Sequence, residues 1–130
     1  MKDETGAWLN YAVENLAVAE LSLAHDHLNA CLHNAHQAVE KYLKALMIEH
    51  ELPFRKTHAI FVLWQSLADD GFDTALTEED CALLDSVFMP SRYPLFNILP
   101  DATPDRETCE KCIRIARRVG KTIRPMLQKP

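Results

Sequence analysis

The stretch Cys31–Ile48, CLHNAHQAVEKYLKALMI, constrains the fold more than any other part of the chain. Its apolar residues Cys31, Ala35, Ala38, Val39, Tyr42, Leu43, Leu46 and Met47 recur in steps of three and four. That is the one-face repeat of an α-helix, not the two-residue repeat of a strand. His33, Gln37, Glu40, Lys41 and Lys44 lie off the stripe, and Glu40 precedes Lys44 by one turn, the favoured order for a helical ion pair. No Gly or Pro interrupts residues 29–52. A helix from Ala30 to His50 would be about 30 Å long, roughly the diameter of a small domain. Such a helix belongs at the centre of a bundle, and its charged face is the place to look for function.

The chain has 130 residues, a size that suits one domain, residues 1–130, with a core of its own. No apolar run approaches a membrane span, and MKDETGAW lacks the basic start and apolar middle of a signal peptide. A cytoplasmic location with no membrane association is expected, with Cys31, Cys81, Cys109 and Cys112 as thiols. The net charge of −5 is unevenly distributed. Residues 106–130 hold eight Lys/Arg against two Glu, a surplus of six positive charges. Residues 1–105 hold six bases and seventeen acids, a deficit of eleven. Overall acidity argues against an indiscriminate DNA coat, while the basic last helix leaves room for a local anionic partner.

In chain order, Leu9, Ala12, Val13, Leu16, Ala19 and Leu23 predict a first helix over residues 7–27, with Trp8 as a core plug. Residues 24–29 form a short connection, which favours an antiparallel hairpin with the central helix. Pro53 marks a loop, and Thr57 is placed to cap a third helix. That helix buries Ile60, Leu63, Trp64 and Leu67 and stops at Gly71. A fourth helix starts at a capping box formed by Thr77 and Asp80, buries Cys81, Leu84, Val87 and Phe88, and is predicted to end at Pro90. Residues 90–103 carry three prolines among Tyr93, Leu95, Phe96, Ile98 and Leu99. They read as an extended apolar segment laid across the bundle or against a partner. A fifth helix is predicted from a Thr103 cap and Pro104, burying Cys109, Cys112, Ile113, Ala116, Val119 and Ile123 until Pro125 closes it. The expected fold is all-α, an up-and-down bundle of about five helices around one long central helix.

Several polar residues have both a structural and a chemical reading. Arg92, between Pro90 and Pro94, either pairs with an acid such as Glu40 or takes a phosphate or carboxylate in bidentate fashion. His58 sits at the start of the third helix, facing the central one, either as a hydrogen-bonding residue or as a general base. Gln37, Glu40, Lys41 and Lys44 are either a solvated helix face or part of a site with His58 and Arg92. No metal is expected. His33, His36 and Glu40 lack the matching Glu-x-x-His of a second helix. The single pair Cys109-x-x-Cys112 lacks the further ligands of a zinc site, so core packing is its expected role.

Taken together, four segments resemble the HEPN family (higher eukaryotes and prokaryotes nucleotide-binding domain). They are Trp8 with Ala12–Ala19, Cys31–Leu46 with its Gln-Ala-x-Glu-Lys-x-x-Lys core, Thr57-His58 with Leu63, and Arg92-Tyr93-Pro94. The resemblance implies a helical bundle that forms a homodimer and has a nucleotide or RNA as its ligand. It also implies a minimal nucleotidyltransferase partner in a toxin–antitoxin-like pair. No cofactor is expected, and a nucleotide would enter only as ligand. Many members are metal-independent ribonucleases marked by an Arg, four to six residues, then a His. Here Arg92 is followed by Asn97, Ile98 and Leu99 at those places. An amide cannot accept the 2′-hydroxyl proton as an imidazole does. The expected protein is therefore a binding module whose ligand residues are Gln37, Glu40, Lys41, Lys44, His58, Arg92 and Tyr93. One alternative is a divergent endoribonuclease using Arg92 and His58, and another is a purely structural dimerisation bundle.

Overall fold

The central helix forms where the apolar repeat places it. In the computed structural model, which describes residues 1–53, 56–92 and 104–128 and only the backbone of 89–92, α2 spans Leu28–Glu49. Every residue of the predicted stripe, Cys31 to Met47, is buried. Around α2 pack α1 (Asp3–Ala24), α3 (Ile60–Asp69), α4 (Glu78–Arg92) and α5 (Arg106–Ile123), and a 3-10 turn follows at Arg124–Leu127. The architecture is an all-α bundle of five helices, with no strand among the described residues. No described helix is long and apolar enough to cross a membrane.

Helix α1 returns along α2 after a three-residue connection, but it begins and ends earlier than residues 7–27. Asp3 and Glu4 complement the positive end of its dipole, and the Lys2 N–H donates to buried Glu49 at the far end of α2 (2.9 Å). The helix stops at Ala24 because Asp26 turns left-handed (φ 60°) and the His27 N–H returns to the Ser22 carbonyl (2.8 Å). Helix α2 ends in the same way, with Glu51 at φ 55° and the Leu52 N–H on the Met47 carbonyl (2.9 Å). In α3, Gly71 takes that role at φ 86°, as the sequence predicts. These are left-handed C-terminal caps, and only the third uses the residue with no steric penalty. Each of the other two carries an ion pair to a distant element, Asp26 to Arg106 (2.7 Å) and Glu51 to Lys2 (2.8 Å).

Other boundaries also differ from the sequence reading. Thr57 does not cap α3; its hydroxyl accepts the Ala59 N–H, and the helix starts at Ile60. The cap comes instead from Asp85 of α4, whose two carboxylate oxygens accept the N–H groups of Ile60 (2.8 Å) and Phe61 (3.1 Å). Pro90 does not end α4, which continues to Arg92. A proline in a last turn forfeits one hydrogen bond without breaking the turns before it. The capping box at the start of α4 forms, with reciprocal Thr77 and Asp80 bonds of 3.1 and 3.0 Å. Helix α5 is capped by Asp105, which accepts the Thr108 N–H (2.7 Å), rather than by Thr103, which lies outside the described residues. At its other end α5 stops at Ile123, just before Pro125 as the sequence predicts, and the chain continues as a 3-10 turn. In α1, Val13 of the predicted apolar stripe is exposed, and Trp8 is half-buried, packed against the edge of the core.

The four cysteines are free and fully buried, and burial pushes the thiols of Cys31, Cys81 and Cys112 up to about 12. Cys109 and Cys112 therefore pack as small apolar groups.

Helix α3 has ten residues, too few to be stable in isolation, so it depends on this borrowed cap. Asp85→Ala is expected to lower stability by about 1–2 kcal/mol. Chemical denaturation of the two proteins measures it, and a change below a few tenths would show that Asp85 does not hold α3.

Candidate polar site on the central helix

The charged face of α2 is not solvated. Glu40 and Lys44 are 2% and 5% exposed, and Lys44 Nζ donates to Glu40 Oε2 at 2.8 Å. Two charges leave water together only when close geometry and further hydrogen bonds compensate their desolvation. The compensation here comes from α2 itself, from the segment before α3 and from α1. His58, in the extended segment just before α3, places Nδ1 2.9 Å from Glu40 Oε1, and the Gln37 amide donates to the same oxygen at 3.3 Å. The Trp8 ring of α1 lies under the Lys44 ammonium, 5.7 Å from centroid to Nζ. Burial alone would raise the Glu40 carboxyl above its ordinary value of 4.5, but Lys44 and His58 together outweigh it and hold it below.

A second layer lies beside the first. His36 is fully buried and stacked on Phe88 of α4, with ring centroids 4.2 Å apart. Its Nδ1 accepts from the Gln37 amide (3.4 Å), which puts the hydrogen on Nε2, facing Asp85 Oδ1 at 3.5 Å. His58 and His33 stack on the same Phe88 ring at 5.6 and 5.9 Å. Phe88 thus joins three imidazoles from two segments. Burial pushes the Asp85 carboxyl up, but His36 and the two capped N–H groups prevail and leave it lowered.

Lys41 points elsewhere. Its ammonium donates to Asn15 Oδ1 (2.7 Å) and lies 5.4 Å from the Tyr11 ring centroid. The Asn15 amide in turn donates to Asn34 (2.9 Å). Burial lowers the Lys41 ammonium from its ordinary value, against the opposing pull of Glu40 and Glu14. Ala7, Trp8, Tyr11 and Lys41 line an open cavity of about 290 Å³ between α1 and α2.

Of the sequence-predicted ligand residues, the structure gathers Gln37, Glu40, Lys44 and His58 and sets Lys41 in the adjoining cavity. Helix α4 carries the backbone of Arg92 one turn beyond Phe88; its side chain and all of Tyr93 lie outside the described residues. His58 does face the central helix, although it precedes α3 instead of opening it. Sequence reasoning missed Asp85, Trp8, Tyr11 and Asn15 as parts of this region. Asp85 had a faint signal, an acid flanked by the apolar stripe of α4. Among the described residues, no three His, Cys, Asp or Glu side chains are grouped to hold a metal ion.

A sequence model of the HEPN domain matches residues 5–125, nearly the whole length. The chain belongs to the HEPN domain family. Its fold is shared with two solved structures. The protein TT1696 from Thermus thermophilus is 27% identical, with a TM-score of 0.78 over 96% of this chain and 99% of that one. ST0689, an archaeal HEPN homologue, is 20% identical, with a TM-score of 0.73 over 98% and 100%. None of the curated proteins matches the chain. The HEPN fold thus accounts for the helices, and the chemistry rests on the side chains gathered around Glu40.

Glu40→Ala should cost about 3–5 kcal/mol, because it removes the carboxylate from a buried ammonium. The depressed carboxyls of Glu40 and Asp85 also predict acid sensitivity. Their contribution is complete above the ordinary values of 4.5 and 3.8 and is lost as pH falls through the lower folded values. Urea midpoints from pH 7 to pH 3 should therefore fall below about pH 4.5 and fall less steeply in Glu40→Gln. A parallel decline in both proteins would remove Glu40 as a source.

Proposed function

We propose that this HEPN chain is a non-catalytic module that binds a nucleotide or RNA and acts as a homodimer with a minimal nucleotidyltransferase, in a toxin–antitoxin-like pair. The observation that carries the reading is the cavity where Trp8 and Tyr11 meet Lys41, directly beside the Glu40–Lys44–His58 cluster. Aromatic surface beside a cation suits a base and its phosphate. Glu40 and Lys44 are tied to each other and act as the buried support that orients His58. Lys41 is then the residue on this face to meet the ligand, and Arg92 and Tyr93 are the further ligand residues of the proposal. The absence of an Arg-x4-6-His pattern anywhere in the sequence supports binding without cleavage.

A second reading, a divergent ribonuclease, has one specific observation in its favour. A carboxylate can only accept, so the His58 Nδ1 carries the hydrogen toward Glu40. This leaves Nε2 on a side chain that is 56% exposed, an orientation that suits a general base. Arg92 would then have to stabilise the phosphate.

Calorimetric titration with ATP, GTP and a short RNA separates the readings from a purely structural role. Lys41→Ala or Arg92→Ala should weaken binding about tenfold or more, the loss of one charge-assisted hydrogen bond. No heat with any of the three, for the protein alone and with a nucleotidyltransferase partner, would leave only a structural bundle. RNA incubated with the protein in EDTA should remain intact. Cleavage that disappears in both Arg92→Ala and His58→Ala would establish the ribonuclease instead.

A further inference from the structure

The basic end of the chain has no part in the site around Glu40. Arg114, Arg117 and Lys121 of α5 and Arg124, which opens the 3-10 turn in a helical conformation, follow one another at steps of three, four and three residues, which holds them within one stripe. All four are exposed. Arg117 pairs with Glu20 of α1 (3.0 Å), and no ion pair occupies Arg114, Lys121 or Arg124 among the described residues. The neighbouring Arg118 is on another side of α5, engaged by Asp80 and by the Ala75 carbonyl (2.9 Å).

The last three cations of the stripe border an open groove of about 440 Å³ between α1 and the end of α5. Its floor is Leu16, Gly120 and Tyr42. Gly120 is required there, since a Cβ at that position would lie 2.6 Å from Cζ and 2.7 Å from the hydroxyl of Tyr42. The helix can therefore approach the phenol, and a shallow, partly apolar floor runs beneath a cationic rim. The rise along the helix is about 6 Å from Arg117 to Lys121 and about 4.5 Å from Lys121 to Arg124, so the three cations form a row and not a single cluster. At the other end, Arg114 and Arg117 border a smaller cavity of about 240 Å³ together with Glu20 and Glu110. Two carboxylates there repel an anion, so the favourable path runs from Arg117 toward Arg124.

We propose that this groove is a path for the phosphodiester backbone of a single-stranded nucleic acid, with Arg117, Lys121 and Arg124 each meeting a phosphate. A single small anion would use only part of a row that spans about 10 Å. The proposal stands on its own observations and does not require the site around Glu40.

The test is fluorescence anisotropy with a 5′-labelled twelve-nucleotide oligoadenylate RNA. Three phosphate contacts predict a slope of about −2 in log affinity against log salt, falling to about −1.4 when one contact is lost. Lys121→Glu should weaken binding about fivefold or more. Lys111→Glu makes the same charge change on the same helix away from the groove and should cost less than about twofold. Both positions are exposed, so unchanged circular dichroism and melting temperature will show that both variants fold. Equal losses in the two variants, no binding by the wild type, or displacement of the RNA by polyglutamate as readily as by unlabelled RNA would each overturn the proposal. Binding abolished by Arg92→Ala but untouched by Lys121→Glu would also overturn it, while leaving the site around Glu40 in place.

Discussion

The Glu40–Lys44 pair is the feature on which the arrangement of this bundle turns. Burying a carboxylate and an ammonium on the long helix is unfavourable unless both remain closely paired and hydrogen-bonded. Their requirements fix where other segments lie. Trp8 brings the start of α1 against the ammonium, and His58 brings the segment before α3 against the carboxylate. With its apolar stripe buried on one side and this pair on another, α2 has little surface left for solvent. Its central position follows from both.

Acids on one helix also complete the ends of others. Glu49 of α2 receives the Lys2 N–H at the start of α1, and Asp85 of α4 receives two N–H groups at the start of α3. A helix start that relies on a side chain from elsewhere forms only when the packing forms, so local order and tertiary order are coupled. Asp85 shows the coupling most fully, because it also faces His36, which stacks on the same Phe88 ring as His58. The same contacts that make α3 a helix therefore set the geometry around His58.

HEPN membership establishes the fold, and the two polar surfaces carry the functional argument separately. Around Glu40, charges are spent on each other and leave one aromatic cavity with Lys41 at its edge. Along the exposed stripe of α5, Arg117 alone has an acidic partner among the described residues, and the groove exists because Gly120 lets the helix close on Tyr42. The contrast between a self-neutralised cluster and a segregated cationic row is electrostatic.

The sequence by itself determined the five helices, the buried face of α2, the stop at Gly71 and the Thr77–Asp80 box. These depend on groups no more than a few residues apart, whose spacing is fixed by the helix. It did not reveal that α3 is capped by Asp85, that α1 and α2 end on left-handed Asp26 and Glu51, or that Glu40 and Lys44 are buried. Charged residues at helical spacing look the same whether water or another helix faces them. Only the tertiary structure decided which, by bringing Trp8, His58 and Phe88 from distant parts of the chain to successive turns of α2.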